Sequence, residues 1–124
     1  MARILIADDE PHIRRVVELK LQSAGHQIRA EGTAAAAFRA AQEFLPELMV
    51  TDYKMPGEMT GVDLIKAVRK TVGVSEIPVI LLTGSVAVLQ DLTEALANVP
   101  RVTILSKPFS PRILLKTVQE ILKK

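Results

Sequence analysis

The sequence predicts an α/β domain of five βα units, (βα)5, built on a parallel sheet with helices on both faces. Three observations predict it. Five short apolar runs alternate with longer segments whose apolar residues recur every three and four positions. Strands separated by helices imply parallel pairing through right-handed crossovers. Three of the runs also lack polar alternation, as strands do when both sheet faces are covered.

The strands are read at Ile4–Ala7, at a weaker Gln27–Ala30, and at Leu48–Thr51, Val79–Leu82 and Val102–Leu105. Pro11 opens the first helical segment, with Ile13, Val16, Val17 and Leu21 on one face and Gly25 as its C-terminal stop. Thr33 opens the alanine-rich second helix, which runs to Phe44 and cannot continue through Pro46. Thr60 and Asp63 have the spacing of a capping box, Leu64, Ile65 and Val68 form the stripe behind it, and Gly73 closes that helix. Ser85 to Asn98 carries Val88, Leu89, Leu92 and Leu96. Ser110–Pro111 caps the last helix, whose stripe is Ile113, Leu114, Val118, Ile121 and Leu122.

Composition narrows the class further. A chain of 124 residues is the length of one domain. Its 48% hydrophobic and 24% charged residues describe an ordinary globule and exclude a disordered tail. A net charge of +2 is too small to argue for a nucleic-acid surface. With no cysteine there is no disulfide frame, thiolate nucleophile or cysteine zinc site, which suits the reducing cytoplasm. No apolar run approaches the roughly 20 residues of a membrane span, and the first residues do not read as a signal peptide. Three Phe and one Tyr leave core filling to small aliphatic side chains.

Four of the five strands end in polar residues: Asp8 and Asp9, Asp52, Thr83, and Ser106 with Lys107. In an open parallel sheet these ends share one edge, where ligands bind at the switch point of the topology. Three carboxylates brought together repel, and one would protonate unless a cation sat among them. All-oxygen ligation favours Mg2+, which keeps water and takes one or two carboxylates beside a phosphate oxygen. A lysine and a threonine hydroxyl added to that set suit a phosphoryl group, and a carboxylate can itself be the nucleophile.

At these residues the chain resembles the receiver domain of two-component response regulators, the CheY-like family, over essentially its whole length. The resemblance rests on Asp8–Asp9 after the first strand and on Asp52 in Val-Thr-Asp-Tyr-Lys-Met-Pro-Gly. It rests equally on Thr83 in Leu-Leu-Thr-Gly and on Lys107-Pro108-Phe109. It implies a doubly wound, flavodoxin-like sheet of order 2-1-3-4-5 and a single receiver domain over residues 1–124, with no output domain in this chain. It implies that Asp52 accepts a phosphoryl group from a sensor histidine kinase or a histidine phosphotransfer protein. Asp9, Asp52 and the backbone carbonyl of Lys54 would ligate Mg2+, with Asp8 acting directly or through water. Lys107 would bind a phosphoryl oxygen across a cis Lys107–Pro108 peptide, and Thr83 would move toward the group. The output would be a change in partner binding at the surface of the fourth helix, fifth strand and fifth helix, with a phosphorylation-dependent dimer as one form. Such a protein is a signalling switch and not a metabolic enzyme.

Three departures from the family pattern bear on function. Glu58, Met59 and Thr60 separate Gly57 from Gly61, one residue more than the common spacing. Lys54 and Ser85 occupy the two positions, each two residues past a site residue, that tune phosphoryl lifetime in the family. Ile104 stands where receivers commonly carry Tyr or Phe.

The competing readings are weaker. An aspartyl phosphatase of the haloacid dehalogenase type needs a second Asp two residues after its nucleophile, where this chain has Lys54 after Asp52 and Glu10 after Asp8. Dinucleotide and P-loop readings need a Gly-rich loop after the first strand. A scaffold that never takes a phosphoryl group would have no reason to keep Asp8, Asp9, Asp52, Thr83 and Lys107 together. Asp8 and Asp9 as simple helix caps explain nothing at the other strand ends. His12 and His26 receive no role, and Arg14, Arg15, Lys20, Lys66, Arg69 and Lys70 read as solvated helix faces.

Overall fold

Local chemistry sets most of the element boundaries. A computed structural model describes residues 2–84, 86–106 and 110–123, with residues 86–90 by their backbone alone. The elements are β1 (Arg3–Ala7), α1 (Pro11–Ser23), β2 (Gln27–Glu31), α2 (Ala34–Phe44), β3 (Leu48–Asp52), α3 (Gly61–Arg69), β4 (Val79–Thr83), α4 (Val86–Ala95), β5 (Val102–Ser106) and α5 (Pro111–Leu122). Thr33 caps α2 by accepting the Ala36 N–H at 3.1 Å. Thr60 and Asp63 form the expected reciprocal capping box at α3. Ser110 accepts the Ile113 N–H at the start of α5, where Pro111 takes the first helical position.

The sheet is parallel, with order β2-β1-β3-β4-β5. The reversal of direction between β1–β2 and β1–β3 puts helices on both faces, because right-handed crossovers change face when the strand order changes direction. Alternate strand residues then feed two cores. Ile4, Ile6, Leu48, Val50, Ile80 and Leu82 pack with Val17 and Leu21 of α1 and with Leu114 and Val118 of α5. Leu5, Ala7, Met49, Val79 and Leu81 pack with the alanines of α2, with Leu64, Ile65 and Val68 of α3, and with Leu92 of α4. Both faces of β3 and β4 are buried, which explains their unbroken apolar runs. The edge strands β2 and β5 are only half-buried, and β2 was the weakest strand in the sequence for that reason.

The differences from expectation are small and physical. Four strands run one residue longer at their carboxyl ends: Glu31, Asp52, Thr83 and Ser106 extend the ladder although their side chains are polar. Helix α3 stops at Arg69, and Gly73 lies beyond it in the turns that precede β4. Helix α4 spans Val86–Ala95, shorter than the Ser85–Asn98 segment, while the side chains of Val88 and Leu89 fall outside the described residues. Gly25 follows the C-cap Ala24 in a left-handed conformation that few other residues adopt cheaply. No helix among the described residues is long and apolar enough to cross a membrane.

Candidate functional site

The carboxyl edge of β1 and β3 gathers the acidic residues. One carboxylate oxygen from each of Asp8, Asp9 and Asp52 lies within 4.8 Å of the others. Asp8 and Asp52 are buried, and Asp9 is exposed, so the cluster opens to solvent on one side. Two oxygens bound to one Mg2+ at about 2.1 Å each stand at most about 4.2 Å apart, so modest side-chain rotation brings these three into range. The donor set is hard oxygen, partly solvated and strongly anionic, and it fits Mg2+ on all three counts.

Asp8 is held tightly. Its N–H donates to the Glu31 carbonyl at 3.1 Å, and its Oδ1 accepts the Glu10 N–H at 3.0 Å. The bond to Glu10 lies outside the helix, whose N-cap is Glu10 itself without a side-chain cap. The Asp8 side chain therefore bonds ahead of the helix and is not the N-cap of α1. Asp52 ends β3, the middle strand of the sheet, paired with Leu82 of β4. Buried Thr51 donates from its hydroxyl to the Asp52 carbonyl at 3.0 Å.

Gly61 closes the neck of the next loop. Its N–H donates to the Tyr53 carbonyl at 2.9 Å. A Cβ there would overlap the Asp52 carbonyl oxygen and stand 3.1 Å from the Tyr53 Cα. Only a glycine lets the first turn of α3 press so closely on the peptide after Asp52. The extra residue between Gly57 and Gly61 therefore lies outside this neck, in a loop where Gly57 and Glu58 are exposed. Met55 and Met59 anchor that loop against the core on the α2–α4 face.

Thr83 is buried at the end of β4, in register with Ser106 of β5. The Lys54 side chain is exposed beside the site. Ile104 is half-buried against the core on the α2–α4 face. Lys107, the Lys107–Pro108 peptide, Phe109 and Ser85 lie outside the described residues.

Two basic residues read as solvated turn out to be engaged. Arg14 donates from Nη1 to the Asp8 carbonyl at 2.8 Å. Arg69 donates from Nη2 to the Pro100 carbonyl at 2.8 Å and to the Arg101 carbonyl at 3.2 Å. The reading of helix faces missed both because their acceptors are backbone carbonyls on other elements. His26, which received no role, accepts the Ala2 N–H on Nδ1 at 3.1 Å. Thr51 and Gly61 did carry sequence signals: a hydroxyl closing an apolar strand beside Asp52, and a poor helix former opening a helix.

A five-stranded sheet of this order with carboxylates at its switch point defines an α/β protein of the doubly wound class, with an acidic cluster at that point. The family model for the response regulator receiver domain matches residues 4–119. The chain belongs to that family. It is 33% identical to the chemotaxis protein CheY of Pseudomonas aeruginosa, over 98% of this chain and 97% of that protein. The transcriptional regulatory protein KdpE of Mycobacterium tuberculosis is 36% identical over 68% of this chain, which corresponds to 35% of KdpE. The solved structure of the chemotaxis response regulator CheY4 of Vibrio cholerae superposes with a TM-score of 0.87 at 32% identity, covering 98% of both chains. Receiver domains are phosphorylation-controlled signalling switches of two-component systems, and the partner the family implies is a histidine kinase.

Proposed function

We propose that residues 1–124 act as one receiver domain that takes a phosphoryl group on Asp52 from a histidine kinase or a histidine phosphotransfer protein. The observation that carries this reading is the convergence of the Asp8, Asp9 and Asp52 carboxylates at the sheet edge. An Asp52 carboxylate oxygen attacks phosphorus, the P–N bond of the donor phosphohistidine breaks, and its electron pair leaves with the imidazole. The product is an acyl phosphate on Asp52. Asp9, Asp52 and the Lys54 carbonyl would hold Mg2+, with Asp8 directly or through water. When bound, Mg2+ offsets the negative charge on the phosphoryl oxygens.

Thr83 and Lys107 read the modified state by bonding to the phosphoryl oxygens, and their movement biases the α4–β5–α5 surface toward a partner. That partner is a downstream protein or a second copy of the chain, and not nucleic acid or a membrane. The work is done in the cytoplasm, where a cysteine-free chain has no need of an oxidising compartment. Lys54 and Glu10, at the positions where an aspartyl phosphatase needs Asp, argue against turnover of phosphate monoesters.

The test is intact-mass measurement after incubation with a small acyl-phosphate donor and Mg2+. One added phosphoryl mass is expected on the native chain and none on Asp52→Asn; retention of the shift in Asp52→Asn rejects the assignment. Lys107→Ala is expected to label weakly and to lose the phosphorylation-dependent change in the Thr83 amide resonance. An unchanged Thr83 response would refute the coupling role of Lys107.

A further inference from the structure

Arg14 sits one turn into α1, and its side chain returns to the end of β1. Its Nη1 meets the Asp8 carbonyl at 2.8 Å. The guanidinium occupies the space beside Gly32, just past β2: a Cβ on Gly32 would stand 2.8 Å from Nη1 and 3.7 Å from Cζ. The same Asp8 is tied through its N–H to Glu31 of β2 and through its carboxylate to the Glu10 N–H. Three contacts thus converge on one residue, and Arg14 reaches its main chain with a side chain. Any side chain at position 32 would push the guanidinium away from that bond.

We propose that Arg14 is a positioning residue of the carboxylate site, holding the Asp8 main chain in place through the gap that Gly32 leaves open. The proposal rests on the reading of Asp8, Asp9 and Asp52 as a Mg2+ site. Outer groups that orient metal ligands matter to affinity because a ligand free to rotate must be ordered when the ion binds. The sign of the effect separates positioning from simple charge. A guanidinium acting only as a nearby positive charge opposes the binding of a cation, so its removal would tighten Mg2+ binding. A guanidinium that orders Asp8 favours binding, so its removal weakens it.

Gly32→Ala probes the same contact without altering charge. The group it displaces is the far end of a flexible side chain, so the fold itself is retained. Tyr53 is the sole tyrosine and there is no tryptophan, so intrinsic fluorescence comes from the residue next to Asp52 and is the probe for Mg2+, read beside isothermal calorimetry. Titration of the unphosphorylated chain with Mg2+ is expected to show about tenfold weaker binding for both Arg14→Gln and Gly32→Ala. Labelling of Asp52 at saturating Mg2+ should recover the native rate in both, since neither change removes a group that touches the phosphoryl oxygens. An unchanged or tighter constant in Arg14→Gln overturns the proposal, and so does an unchanged constant in Gly32→Ala. Failure of the native chain to bind Mg2+ is a different result, and it overturns the reading of the site itself.

Discussion

His26 links the end of α1 to the start of β1, and its bond to the Ala2 N–H requires an unprotonated Nδ1. Burial lowers its pKa from the ordinary histidine value, with the Glu47 carboxylate opposing weakly. A lowered folded pKa means that protonation favours the unfolded chain. The stabilisation is therefore present above the ordinary value of about 6.5 and is lost as pH falls through the lowered one. Urea unfolding followed from neutral to mildly acidic pH should show this loss. His26→Phe, which removes both the acceptor and the titration, should cost about 0.5–1.5 kcal/mol at neutral pH and flatten that part of the profile. A native profile with no fall in this range would remove His26 from the account. Arg14 teaches a related lesson, because its backbone acceptor belongs to a residue six positions away, across the boundary between strand and helix.

At the scale of elements, the end of the sheet opposite the carboxylates is held by α3. Arg69, the last residue of α3, bonds to the carbonyls of Pro100 and Arg101 at the entrance to β5. Burial lowers its pKa, with the Arg101 charge adding to the effect and Glu76 opposing it. The Arg101 carbonyl also accepts the Val79 N–H at 2.9 Å, so one short segment joins α3, β4 and β5. Arg101 itself has φ of 60°, a left-handed conformation costly for a residue with a side chain. Hydrogen bonds from a charged donor contribute about 1.5–3 kcal/mol, so Arg69→Ala should lower the unfolding free energy by roughly that amount. The Mg2+ constant should not change, because the carboxylates lie at the other end of the strands. A lost Mg2+ response with unchanged stability would contradict this division of labour.

For the whole molecule, the site joins strands whose positions depend on two cores at once. Asp8 and Asp9 follow Ala7 of β1, which faces the core of α2 and α3, while Asp52 ends β3, which is lined on both sides. Anything that binds the folded site and not the unfolded chain stabilises the whole domain. Mg2+ at about 100 times its dissociation constant should therefore raise the unfolding free energy by about 2.7 kcal/mol. Asp52→Asn should lose most of that gain while remaining folded, because Asp52 is a carboxylate of the site and its strand pairs through backbone bonds. Thermal melting with and without Mg2+ measures both effects, and equal gains in the two proteins would detach Asp52 from the cation.

Most of the architecture was legible in the sequence because it rests on local rules. Thr33, Thr60 with Asp63, and Ser110–Pro111 announce helix starts through hydrogen bonds made within three residues. Apolar runs without alternation announce β3 and β4, since a strand buried on two faces has no polar side to show. The acidic residues at the strand ends were legible for the same reason: parallel topology puts all such ends on one edge. What the sequence could not carry was contact between distant backbones. The extra residue before Gly61 falls in the loop that follows Asp52, and the bond between Gly61 and Tyr53 closes that loop at its neck. The Arg14–Asp8 and Arg69–Pro100 bonds have acceptors common to every residue, and no side-chain pattern marks them. Residue type and spacing determined the sheet, its helices and the members of the carboxylate site. The tertiary structure alone decided how Asp8 is braced and where the loop extends, because backbone carbonyls acquire partners only when the elements have packed.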